Sequence, residues 1–165
     1  MTLDALVARL ELAPHPEGGF YRETYRAGDL LPRESLPPRF SGPRAASTAI
    51  LYLLPAGAKS RLHRIASDEL WHYHLGGPLE IVEIAPDGRA AAAVLGPDLE
   101  RGQVLQKCVP AGRWFGARPL PGTEWVLAGC TVAPGFDFGD FEMGRRAELL
   151  KRFPSAADAI LALTD

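Results

Sequence analysis

The stretch Ser60–Pro78, SRLHRIASDELWHYHLGGP, decides how this chain is read. Two runs of alternating apolar and polar residues, 60–66 and 70–75, flank the polar triplet Ser67-Asp68-Glu69, and Gly76-Gly77-Pro78 ends the second run. The pattern predicts a hairpin of strand, tight turn and strand. Side chains on a strand alternate between faces, so His63 falls with Arg61 and Ile65, and Glu69 falls with Trp71 and Tyr73. His72 and His74 point the other way, to an outer or subunit-facing side. If the His63 and Glu69 faces coincide, an imidazole, a carboxylate and two aromatic rings converge on one cavity. Such a cavity can hold a small molecule and exchange protons with it.

The flanking sequence reads as scaffold. Thr2 is the expected N-cap of a short helix with Leu3, Leu6, Val7 and Leu10 on one stripe. The breaker cluster His15-Pro16-Glu17-Gly18-Gly19 leads into an alternating strand over 20–25, with Tyr21, Glu23 and Tyr25 on one face. His15 is either a turn-stabilising residue or part of a pocket rim. The segment from Arg26 to Arg44 contains Pro32, Pro37, Pro38 and Pro43 without periodicity, which predicts a long loop, either a lid or a disordered segment. Further strands are expected over 47–54, 79–85, 90–95, 104–109, 113–117 and 124–133, with Pro86-Asp87-Gly88 as a hairpin turn. The phenylalanines at 136, 138 and 141 read as core plugs. Helices are expected over 142–152 and 155–163, the second opened by Ser155 with Asp158 three positions on.

Composition narrows the function classes. A chain of 165 residues is most simply one domain with room for a core and an internal pocket. With a net charge of -2 it lacks the basic footprint of a nucleic-acid or anionic-membrane binder. No apolar run approaches a membrane span, and the N-terminal run, with Asp4 and Glu11 in it, does not read as a signal peptide, so the expected address is cytoplasmic. Cys108 and Cys130 lie far from any CxxC spacing and are expected as buried, reduced thiols. The sequence contains no GxGxxG, Walker loop or GxSxG, and no asparagine, hence no glycosylation sequon.

The order Gly57, His63, Glu69, Gly76, at spacings of six, six and seven positions, resembles the first motif of the cupin superfamily, and Pro110-Ala111-Gly112 resembles the start of its second. More narrowly, HPEGGFYRETYR, STAI, HRIASDELWHYHLGGP, VPAGRW and APGFDFGDFEMG are similar, in order from His15 to Gly144, to the blocks of the cupin 5 family, a domain of unknown function. The resemblance implies a mainly β fold, a double-stranded β-helix or jelly-roll cupin barrel over about 15–141, with a short N-terminal helix and C-terminal helices over about 142–165. It implies one cupin domain over 1–165, a homodimer, and a ligand inside the barrel.

A metal-binding cupin takes His, His and Glu from the first motif and a third His from the second. Here His63 and Glu69 match, but Ile65 and Phe115 stand at the other two positions. No metal or other cofactor is therefore expected; a metal, if bound, would use His63 and Glu69. The remaining chemistry is acid–base, and the chain looks like the metal-free sugar-nucleotide epimerases of the superfamily, in which a pocket His and a Tyr move protons beside a carbonyl. On this reading His63, Glu69 and Tyr73 are catalytic. Tyr21, Glu23, Trp71 and Phe115 bind the substrate, a carbohydrate or nucleotide-sugar derivative that is isomerised or epimerised. The alternatives are a non-catalytic ligand-binding or sensor protein and a metal-dependent cupin enzyme.

Overall fold

The structure, a computed structural model, describes residues 2–165. After helix α1 (Leu3–Arg9) come β1 (Ala13–Pro14), β2 (Phe20–Arg26), β3 (Leu30–Leu31), β4 (Arg44–Ala45) and β5 (Thr48–Pro55). There follow β6 (Ser60–Arg64), β7 (Asp68–Gly76), β8 (Leu79–Ile84), β9 (Ala90–Leu95) and β10 (Gln106–Val109). The chain ends with β11 (Trp114–Pro119), β12 (Trp125–Ala133), β13 (Glu142–Met143), α2 (Arg146–Arg152) and α3 (Ala157–Leu163). All nine longer strands fall where alternation predicts them; the other four are two-residue pairings too short to leave a periodic signal.

Two sheets carry the fold: β1-β2-β5-β12-β7-β10 and β13-β6-β11-β8-β9, each antiparallel between neighbours. Their inner faces share one apolar core, with Tyr52, Leu54, Trp71 and Val126 from the first sheet against Leu79, Ile81, Phe115 and Ala117 from the second. Alternation turns the neighbouring residues outward, and helices cover them. Leu53 and Leu127 meet Leu6 of α1, while Leu62, Val82 and Trp114 meet Leu149, Phe153, Ile160 and Leu163 of the C-terminal segment. Burial of Ile160 and Leu163, both fully enclosed, contributes about 1.5–3 kcal/mol each to docking that segment.

Several expectations are corrected. Strands β6 and β7 form no hairpin: they belong to different sheets, and the 65–67 segment arches from one to the other. The arch spends its hydrogen bonds on other loops. Ser67 Oγ donates to Pro134 O at 2.7 Å, Ala111 N to Asp68 Oδ1 at 2.8 Å and Gly112 N to Ile65 O at 2.9 Å. The 26–44 segment is ordered, with β3 paired to β4, a 3-10 turn over Arg33–Ser35 and Phe40 buried. Glu142–Met143 pairs with β6 instead of beginning a helix. Ser155 does not cap α3; its hydroxyl donates to Gly88 O at 3.0 Å. Both cysteines are free, but Cys108 is exposed.

Candidate functional site

Between the sheets, at the end away from Trp71 and Leu79, a cavity of about 670 Å³ remains. Its inner wall is formed by Glu17 and His15 from the β1–β2 turn, His63 from β6, Glu69 from β7, and Cys130 and Val132 from β12. Tyr21 and Glu23 of β2, Phe136, Asp137 and Phe138 form part of the outer wall, and Phe138 is half exposed.

Glu17 is aimed by its turn. Ser60 Oγ donates to Glu17 Oε1 at 2.8 Å, and Arg61 binds the Glu17 carbonyl through its backbone N–H at 3.0 Å and its Nε at 3.3 Å. The turn closes with His15 N donating to Gly19 O and Gly18 N to His15 O, both at 3.0 Å. Gly18 has φ +121°, and a methyl group there would overlap the Lys59 carbonyl oxygen, so only glycine fits. A carboxylate from the first sheet's edge thus reaches the second sheet.

There Glu17 Oε2 stands 3.0 Å from His63 Nε2, with both side chains buried. His63 Nδ1 lies 2.7 Å from the Arg61 carbonyl, which can only accept, so Nδ1 carries a proton. Nε2 then meets Glu17 with either a lone pair or a second proton. Two lone pairs at 3.0 Å would repel, so the Glu17–His63 contact holds a proton on one partner or the other. Phe115 at 4.2 Å and Phe141 at 5.3 Å between ring centroids fix the imidazole plane.

Glu69 has the opposite environment. Burial pushes its carboxyl up to about 8, the charge of Glu17 adds to the rise, and a hydrogen bond with the Cys130 thiol opposes it. Glu69 is therefore a neutral acid near neutral pH. Burial also lifts the Cys130 thiol well above its ordinary range, with Glu69 and Glu17 adding to it. His15 is pushed down by burial first; Glu17 opposes that shift and His63 adds to it.

This geometry can be set against known proteins. The family model of the cupin superfamily designated Cupin_5 (DUF985) matches residues 4–144. The chain belongs to the Cupin_5 family. An uncharacterized protein of Saccharomyces cerevisiae is 31% identical over 159 residues, 91% of this chain and 79% of the relative. A crystal structure of a Shewanella oneidensis protein superposes with TM-score 0.88 at 36% identity, covering 100% of this chain and 98% of the other. A hypothetical protein from Leishmania major gives 0.89 at 34%, covering 99% of each. Oxalate decarboxylase from Bacillus subtilis, at 14% identity and TM-score 0.55 over 91% of this chain and 36% of its own, is a likeness of fold alone.

Of the residues singled out in this Cupin_5 sequence, His63, Glu69, Tyr21 and Glu23 line the cavity. Trp71 and Phe115 are sealed in the core behind it, and the Tyr73 hydroxyl donates to Gly76 O at 2.6 Å, so none of these three lines the cavity. Glu23 is engaged by Arg26, which donates to both its oxygens at 2.9 and 2.7 Å. His72 faces outward, within 3.0 Å of Thr131 Oγ1 and 2.9 Å of Gln106 Nε2. Sequence reading missed Glu17, which sits in a turn without periodicity; the available signal was a Glu beside His15 and before two glycines. Phe136 and Phe138, expected as plugs, line the cavity.

The donor set does not fit a cupin metal. Ile65 and Phe115 are buried hydrocarbon where two histidines would bind, and Glu17 engages His63 Nε2. Among the described residues no three His, Cys, Asp or Glu side chains are grouped to hold an ion.

Proposed function

We propose that this Cupin_5 protein is an acid–base isomerase or epimerase that works with its own side chains on a small carbonyl-bearing metabolite of carbohydrate or nucleotide-sugar type. The observation that supports the reading is the division of two carboxyl groups in one cavity. Glu69 is held protonated by burial, whereas the Glu17 carboxylate meets the His63 imidazole and accepts from the Ser60 hydroxyl. Carboxyl groups separated in this way take opposite roles in proton transfer. The Glu17–His63 pair is the base and Glu69 the acid. Tyr21 and Phe138 supply flat apolar surface for a ring, and polar groups at the inner end orient its oxygens.

The test is proton exchange. Ketoses, aldoses and 4-keto nucleoside-diphosphate sugars are incubated with the protein in deuterated water, and hydrogen on carbon beside the carbonyl is followed by NMR. Protein-dependent exchange that falls at least ~100-fold in Glu17→Gln and in Glu69→Gln is the expected result. Saturable thermal stabilisation by one of these sugars with no exchange in the wild type would instead make the protein a non-catalytic binder.

A further inference from the structure

We propose that His15 is a neutral hydrogen-bond donor whose Nε2–H takes the carbonyl oxygen of the bound ligand and, on the acid–base reading above, holds that oxygen as it becomes negative. The geometry fixes the tautomer. The backbone N–H of Glu17 donates to His15 Nδ1 at 3.2 Å, which requires a lone pair on Nδ1. The ring proton therefore sits on Nε2. A second proton could enter only at Nδ1, against the amide hydrogen already there, and burial independently disfavours the charged ring, with His63 adding to that effect and Glu17 opposing it.

Nε2 has no acceptor among the described residues, and the ring lines the cavity. The ring is also held still. Tyr21 packs edge-on at 4.5 Å and Tyr52 at 5.6 Å, with Phe138 and Phe141 both at 6.5 Å. An N–H that faces the cavity without a protein partner, on a ring packed in place, suits a ligand oxygen, because the site has already met the cost of orienting it. His63 is held in the opposite tautomer by the Arg61 carbonyl. One imidazole thus serves the base, and the other offers a proton it does not give up.

Glu17 takes the proton from the carbon beside the carbonyl, the C–H pair becomes a C=C bond, and the carbonyl π pair moves onto oxygen, where His15 donates its hydrogen bond. Glu69 then delivers its carboxyl proton to carbon, the C=C pair forms the new C–H bond, and the oxygen pair closes the carbonyl again. One proton has passed from Glu69 to Glu17, and exchange with solvent restores both.

Long-range proton–nitrogen correlation spectra of isotope-labelled wild-type protein report each imidazole tautomer without a substrate or a variant. His15 is expected to be protonated on Nε2 and His63 on Nδ1. Glycolohydroxamate, a planar oxyanion mimic, is expected to move the His15 Nε2 proton downfield. His15→Leu should weaken hydroxamate binding at least ~10-fold and slow carbon exchange about 100-fold with little change in KM, and His15→Gln, which keeps an N–H donor, should recover part of both. A His15 ring protonated on Nδ1, or an Nε2 proton that millimolar hydroxamate leaves unmoved, overturns the proposal. If the hydroxamate shifts His15 but no sugar exchanges a proton, His15 stands as the ligand's donor and only the catalytic reading falls.

Discussion

In the folded protein Glu69 ionises at about 8, whereas the free side chain ionises at 4.5. Between those values the native state keeps a proton that the unfolded chain has released. Its contribution to stability is therefore complete below pH 4.5 and is lost as pH rises through 8. The decline has a limiting slope of about 1.4 kcal/mol per pH unit. Glu69→Gln cannot ionise, so a series of urea midpoints across this range should show the decline in the wild type and a flatter profile in the variant. Equal slopes would mean that Glu69 is already ionised in the fold. Glu69 and His63 were legible because strand alternation turns each to the interior. Glu17 was not, because its direction comes from Ser60 and Arg61, more than forty positions away. Tyr73 shares the face of Glu69, yet its hydroxyl closes on Gly76 instead of the cavity. Face is a sequence property; depth along the strand depends on what packs beside it.

The β1–β2 turn is the element on which the site depends. Gly18→Ala would force a side chain into a left-handed backbone and against the Lys59 carbonyl. A cost of about 2 kcal/mol or more is expected, read from denaturant unfolding, together with weakened hydroxamate binding as Glu17 and His15 lose their registration. A variant as stable and as tight-binding as the wild type would show that the turn relaxes freely. At this scale the sequence located strands better than partners. Alternation placed β6 and β7 almost to the residue, but the hydrogen bonds of Ser67, Asp68 and Ile65 go to Pro134, Ala111 and Gly112, so a short polar link that reads as a hairpin turn becomes an arch. The error left the meeting of His63 and Glu69 on one cavity intact, since both strands turn these residues to the space between the sheets, whereas Trp71 and Tyr73 on the same face do not reach it.

Across the molecule, the proline-rich 26–44 segment is tied to the cavity rim by one enclosed ion pair. Arg44 donates through Nε to Asp140 Oδ2 at 2.7 Å and through a second nitrogen to Oδ1, with both side chains 6% exposed. Arg44→Met leaves Asp140 without its partner and is expected to cost about 3 kcal/mol, whereas replacing both partners with apolar residues should cost much less. Urea unfolding of the two variants and the wild type measures that difference, and equal losses would deny the pair its coupling. The sequence showed the arginine and the aspartate but not their meeting, ninety-six positions apart. Strand β12 carries a similar separation into the history of the chain. It lies between β5 and β7 and pairs with both, although fifty-seven residues are made between the end of β7 at Gly76 and its own completion at Ala133. On the ribosome, β5 and β7 therefore wait with bare edges, the wall that carries Glu69 stays unfinished, and the first sheet closes by insertion of a late strand rather than by growth from one side.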